Sequence, residues 1–171
     1  MVAAAAAELA MGRRIWGVGG IPGFWSGDIW SKHNSQFIFD PYTLTHITHG
    51  ILFYALLSLV ARWPVSMRFT LAIALEAAWE VLENTDFVIN RYRMETISLN
   101  YYGDSVMNSM ADIVACMVGF SIAARLPKPA TIALTFGLEI LLLIWTRDNL
   151  TLNIVMLFYP NGAIRAWQMG K

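Results

Sequence analysis

Four apolar stretches, each close to the length of a membrane crossing, lie between Tyr42 and Thr146 and constrain this chain more than any other feature. They run from about 42 to 61 (YTLTHITHGILFYALLSLVA), 69 to 89, 105 to 124 and 130 to 146. A helix needs about 20 apolar residues to cross a hydrocarbon core about 30 Å thick. ILFYALLSLVA and GLEILLLIW are apolar on nearly every side, which suits membrane helices and not the alternating strands of a barrel. With 57% apolar and only 14% charged residues in 171, the chain is also too apolar for an ordinary soluble domain of this length. The predicted fold class is an all-α integral membrane bundle of four transmembrane helices, with short interfacial helices at both ends.

A single membrane domain is expected over 1–171: an irregular interfacial region at 1–41, the four-helix core at 42–146 and an interfacial segment at 147–171. Asp40 with Pro41 reads as the start of the first span, Trp63 with Pro64 as its close, and Leu126 with Pro127 as the close of the third. LTLNIVMLFY at 150–159 is too short to span and is expected at the interface. The opening MVAAAAAELAMGRR is about half a span and lacks the basic start of a signal peptide. It reads either as an interfacial helix or as the tail of a fifth helix whose upstream residues are not in this sequence. Residues 15–40, rich in Gly and Trp, read as an interfacial loop.

If the four spans alternate in direction, their unusual polar residues share one membrane face. His46 and His49 open the first span; Glu76, Glu80 and Glu83 climb toward the end of the second; Asp104, Asn108 and Asp112 open the third; Glu139 and Arg147 close the fourth. Glu76, Glu80 and Glu83 are spaced i, i+4, i+7, and Asp104, Asn108 and Asp112 are spaced i, i+4, i+8, so each helix carries one polar stripe. A charge facing lipid costs at least about 2.5–3.5 kcal/mol, which turns the stripes toward the bundle interior or water. His46, His49, Glu80, Glu83 and Asp112 are the candidate catalytic residues, and Glu76, Arg91, Arg93, Asp104, Asn108 and Arg147 the candidate ligand-binding ones. Burying so many acids requires that some be protonated, paired with arginine or bound to a cation. A divalent cation is therefore a candidate cofactor, with His46, His49, Glu80 and Glu83 as its ligands, although the chain has no Glu-x-x-His motif. A purely structural role stands beside each assignment, with Asp104 also fitting a helix N-cap.

The formal charge is zero, 12 basic against 12 acidic residues, so nothing points to nucleic acid. The single cysteine, Cys116, excludes an intrachain disulfide or a CxxC site. There is no nucleophile elbow, phosphate-cradling loop or dinucleotide fingerprint. Three functions remain: a catalytic or ligand site for a lipid headgroup, small ligand or cation at the membrane face; a nonenzymatic accessory subunit of a larger membrane complex; and a coupled transporter, disfavoured by only four spans and no broken helix pair. Membrane lipids and subunits of such a complex are the expected partners. The short loops 62–68 and 125–128 hold Arg62, Arg68, Arg125 and Lys128 without an acid, which places them in the cytoplasm and the polar mouth in the periplasm.

The segments SQFIFDPYTLTHITHGILFYALL, EAAWEVLENTDFVINRYRMETISLNYYGDSVMNSMADIVACMVGF and RDNLTLNIVMLFYPNGAIRAWQ resemble an uncharacterised family of small, mainly proteobacterial inner-membrane proteins known as a domain of unknown function. The resemblance covers about 34–168 and implies a multi-pass protein of the bacterial inner membrane with no established activity. Members of that family tend to carry a Cys-containing segment before the core. RRIWGVGGIPGF has no cysteine here, so a thiol-based metal or redox role fails for this chain. A weaker resemblance is to VanZ-like membrane proteins, through His46 or His49, Glu80 or Glu83, Arg91 or Arg93, and Asp104 with Asn108; it implies a role at the cell envelope toward lipid-linked or antibiotic ligands.

Overall fold

A computed structural model describes residues 1–60 and 62–170. The described residues form eight α-helices and no strand: α1 (Val2–Ala10), α2 (Thr43–Leu57), α3 (Val65–Glu83), α4 (Asp86–Glu95), α5 (Val106–Ala123), α6 (Lys128–Thr146), α7 (Leu150–Phe158) and α8 (Gly162–Gln168). The all-helical class expected from the apolar stretches is present, but the expectation of four membrane spans is reduced. Only α5 and α6 are long and apolar enough to cross a membrane by length and composition. α2 is apolar but 15 residues long, and the 19 residues of α3 include Arg68, Glu76, Glu80 and Glu83. The second span does not reach residue 89. It stops at Glu83, and Thr85 accepts a hydrogen bond from the Val88 amide to start a separate helix, α4.

The first helix also begins and ends inside its expected bounds. Asp40 is not its cap: its Oδ2 accepts from the Ser35 amide at 2.7 Å and its Oδ1 from the Tyr42 amide at 2.8 Å, tying the preceding loop down. At α5 the cap is Ser105, whose Oγ accepts from the Asn108 amide, and not Asp104.

α2 and α5 pack most intimately, because two glycines remove the side chains from their crossing. A β-carbon on Gly50 would overlap the Cys116 carbonyl, and one on Gly119 would overlap the Ile47 carbonyl. Such close backbone approach is the usual work of small residues between membrane helices. Leu57, Ala72 and Phe120 extend this core toward the far ends of α2, α3 and α5. α6 stands apart, with 11% of its most apolar window buried and Phe136, Ile140 and Ile144 exposed.

The loop expected at 15–40 has a structural task. The carbonyls of Ser35, Arg14 and Ile15 accept from the amides of Ser105, Val106 and Met107, satisfying donors that the start of α5 would otherwise leave open. A parallel bridge between Trp25 and Phe39 stiffens it, and Trp25 stacks on Trp145 of α6. α7 and α8 form the expected C-terminal helices, and Glu139 reaches from α6 to accept from the Leu150 and Thr151 amides at the start of α7.

Candidate functional site

The tight crossing of α2 and α5 brings the first turns of both helices against the last two turns of α3, and this placement builds the site. Glu76 is fully buried, and its Oε1 lies 2.6 Å from His46 Nδ1 and 3.0 Å from His49 Nδ1. A carboxylate only accepts, so both histidines present a protonated Nδ1 to it, and a neutral ring then carries its lone pair on Nε2. On that side of His46 lies Asp112, its Oδ2 3.8 Å from Nε2. Glu80, 1% exposed, places Oε1 3.3 Å from His46 Nδ1, outside hydrogen-bonding geometry. Neither Glu80 oxygen, nor Asp112 Oδ1, has a hydrogen-bond partner among the described residues. No lysine or arginine among the described residues pairs with Glu76, Glu80 or Asp112.

Above this cluster Asn84, at the end of α3, ties that helix to the start of α5. Its Nδ2 donates to the Glu80 carbonyl, to Asp104 Oδ2 and to Ser109 Oγ, and its Oδ1 accepts from the Asp104 amide at 2.7 Å. Tyr101 donates its hydroxyl proton to Asp104 at 2.9 Å. Burial pushes the Asp104 carboxyl up to about 7; the Tyr101 bond opposes the shift and the nearby Asp40 charge adds to it. Asp148 is raised to about 6, again by burial, against bonds from Tyr42, the Asn149 amide, Asn153 and Gln168.

A cavity of 1240 Å³ opens over the cluster. His46, His49, Glu83, Asp104, Asn108 and Asp112 line it, whereas Glu76 and Glu80 lie behind its wall. Arg13, Arg14 and Lys32 stand around it, and Leu52, Leu82, Ile154 and Phe158 line it while remaining exposed on the outer surface. The candidates thus divide. His46, His49, Glu76, Glu80 and Asp112 meet directly, Asp104 and Asn108 line the cavity outside that contact, and Glu83 lines it half-buried.

The three candidate arginines do not line this cavity. Arg91 donates to the Leu157 carbonyl and pairs with Glu95, Arg93 lies over the Tyr102 ring, and Arg147 donates to the Trp167 carbonyl. The first two lie on α4, a helix separate from the Glu76–Glu83 stripe of α3. The cations that do reach the cavity are Arg13 and Arg14, from the opening stretch read as an interfacial helix or the tail of a fifth helix, and Lys32, from the stretch read as an interfacial loop. Glu8 was also passed over; it is fully buried and neither of its oxygens has a partner among the described residues. A lone acid in an Ala-rich run was the available signal.

Fold and site together define a small all-helical protein with two potential membrane crossings and a buried histidine–carboxylate cluster at one end of its helices. The chain belongs to the family described as Protein of unknown function (DUF2585), whose profile matches residues 8–170. It is 52% identical to a UPF0314 protein of Rhizobium meliloti over 147 residues, 85% of this chain and 75% of that protein. A UPF0314 protein of Brucella anthropi is 50% identical over 147 residues, 85% of this chain and 74% of the relative. One from Rhizobium etli is 44% identical over 171 residues, covering 99% of this chain and 88% of its own. The uncharacterised proteobacterial family expected from the sequence is therefore the right one, and none of these matches is to a VanZ-like protein. No solved structure matches the chain.

Proposed function

We propose that the protein is a multi-pass protein of the bacterial inner membrane that binds a phospholipid, headgroup in the polar cavity and acyl chains at its apolar side. The observation that carries this reading is the mixed lining of the 1240 Å³ cavity. Arg14 and Lys32 at its mouth suit a phosphate, Asp104 and Asp112 suit an ammonium or hydroxyl headgroup, and Leu52, Leu82, Ile154 and Phe158 lead from the cavity to the outer surface. The exposed apolar face of α6 fits lipid contact in the same membrane.

The test is purification from native membranes in mild detergent, followed by lipid extraction and mass spectrometry. Stoichiometric phospholipid is expected, with retention reduced in the Arg14→Glu, Lys32→Glu double variant and unchanged in Arg125→Glu at the far end of α5. Phospholipid at the level of empty detergent micelles, or equal loss in both variants, would overturn the reading. Co-purification of stoichiometric protein subunits without lipid would favour the accessory-subunit alternative.

A further inference from the structure

We infer that the floor of this cavity is a divalent transition-metal site, with His46 Nε2, Asp112 and Glu80 as its protein ligands and Glu76 as the group that orients His46. The inference rests on the cavity reading only for access of the ion; the ligands themselves are fixed by helix packing.

Three observations converge on it. One ligand atom from each of His46, Glu80 and Asp112 lies within 4.8 Å of the others, with Asp112 Oδ2 3.8 Å from His46 Nε2 and Glu80 Oε1 3.3 Å from Nδ1 of the same ring. Metal bonds of about 2.0–2.2 Å to nitrogen and carboxylate oxygen hold ligand atoms about 3–3.6 Å apart, so the 3.8 Å between His46 Nε2 and Asp112 Oδ2 needs only a few tenths of an ångström of closure. Second, both Glu80 oxygens and Asp112 Oδ1 are buried without a hydrogen-bond partner among the described residues. Buried polar atoms are paired in the great majority of cases, and a cation is the partner that two acceptor-only carboxylates share. Third, His46 Nδ1 is engaged by Glu76 at 2.6 Å, which leaves Nε2 as the lone-pair nitrogen on the Asp112 side. A carboxylate holding one ring nitrogen while the other binds metal is the recurrent outer arrangement of histidine ligands.

Charge and donor type select the ion. Glu76, Glu80 and Asp112 bring three carboxylates into a region where no lysine or arginine among the described residues pairs with them. A dication offsets most of that charge, whereas buried and unpaired carboxylates are strongly disfavoured. One imidazole and two carboxylates favour a zinc-like ion over calcium or magnesium, which prefer all-oxygen shells. His49, held by the same Glu76, stands next to this set at 5.0 Å between ring centres and stabilises the orientation of the shared carboxylate.

The experiment strips the purified, detergent-solubilised protein with a chelator, confirms its helical content by circular dichroism, and titrates it with Zn²⁺ by calorimetry. Co²⁺ then serves as a spectroscopic reporter of nitrogen and oxygen coordination. One Zn²⁺ per chain is expected. Affinity falls at least about 10-fold in Glu80→Gln and Asp112→Asn and about 10- to 100-fold in Glu76→Gln. His33→Gln, outside the cluster, binds as wild type does. Folded wild-type protein that takes up no Zn²⁺, or equal binding by wild type, Glu80→Gln and Asp112→Asn, overturns the site and leaves the acids as a protonated network. Phospholipid retention measured on the same samples separates the two proposals: retained lipid with no metal sinks the metal site alone.

Discussion

His46 and Glu76 make the shortest polar contact in the buried cluster, 2.6 Å from Nδ1 to Oε1, with side-chain exposures of 9% and 0%. Because His49 shares the same carboxylate, Glu76 is the one acceptor for two imidazoles. Glu76→Ala strands both rings beside the cavity without their shared acceptor and is expected to cost about 3–5 kcal/mol of stability, the range for breaking a buried pair from one side. Glu76→Gln costs less, because its amide oxygen still accepts from one ring. Denaturant or thermal unfolding in detergent measures the difference; a loss below about 1 kcal/mol for the alanine variant would show that the contact adds little beyond packing.

The position of the site depends on how closely α2 and α5 approach. At both Gly50 and Gly119 a β-carbon meets backbone atoms of the opposite helix, which cannot rotate away as a side chain could. Gly119→Ala is therefore expected to force the helices apart and to destabilise the protein by about 1–3 kcal/mol, the usual cost of overpacking. It also shifts His46 relative to Asp112. Gly137 in α6 has nothing within 4 Å of its added β-carbon, and Gly137→Ala is expected to be neutral or to stabilise by up to about 1 kcal/mol through helix propensity. Equal melting temperatures for the two variants would contradict the packing argument.

Much of this arrangement was legible because helical spacing is a local property. The i, i+4 relation of Glu76 to Glu80 and the i+3 relation of His46 to His49 each place their side chains on one face of a helix. What spacing did not reveal was where a helix stops. Thr85 caps a new helix inside a stretch read as one span, and Arg91 and Arg93 on that helix engage the Leu157 carbonyl and the Tyr102 ring instead of the acids. Nor did it reveal tertiary hydrogen bonding by loops: Arg14, Ile15 and Ser35 hold the start of α5 through carbonyl groups, which leave no mark in side-chain pattern.

Asp104 makes stability depend on pH. Its carboxyl titrates near 7 in the folded protein against an ordinary value of 3.8. Between those values the folded state keeps a proton that the unfolded chain has released, so stability falls as pH rises from about 4 to about 7 and levels off above. Asp148, raised to about 6, acts in the same direction over a narrower window. Melting temperatures in detergent are expected to drop by several degrees from pH 5 to pH 7.5. Asp104→Asn, which cannot ionise and keeps an acceptor for Tyr101, is expected to flatten the slope without inverting it. A wild-type melting temperature that rises over this range would show that Asp104 is ionised and paired when folded.

Asn100 and Arg125 lie at opposite ends of α5, both exposed, so one crossing by α5 places them on opposite sides of the membrane. Arg62 and Arg125, with Arg68 and Lys128 in the first turns of α3 and α6, lie at the far end from the acids, and positive charge is retained in the cytoplasm. In a Cys116→Ser background, which removes the buried native thiol, Asn100→Cys is expected to react with a membrane-impermeant maleimide in intact cells. Arg125→Cys is expected to react only after the membrane is permeabilised. The reverse pattern would put the polar cavity in the cytoplasm, where its lipids would come from the inner leaflet. Equal labelling of both positions in intact cells would mean that α5 does not cross the membrane, and the burial of 56% of its most apolar window would then reflect an ordinary protein core.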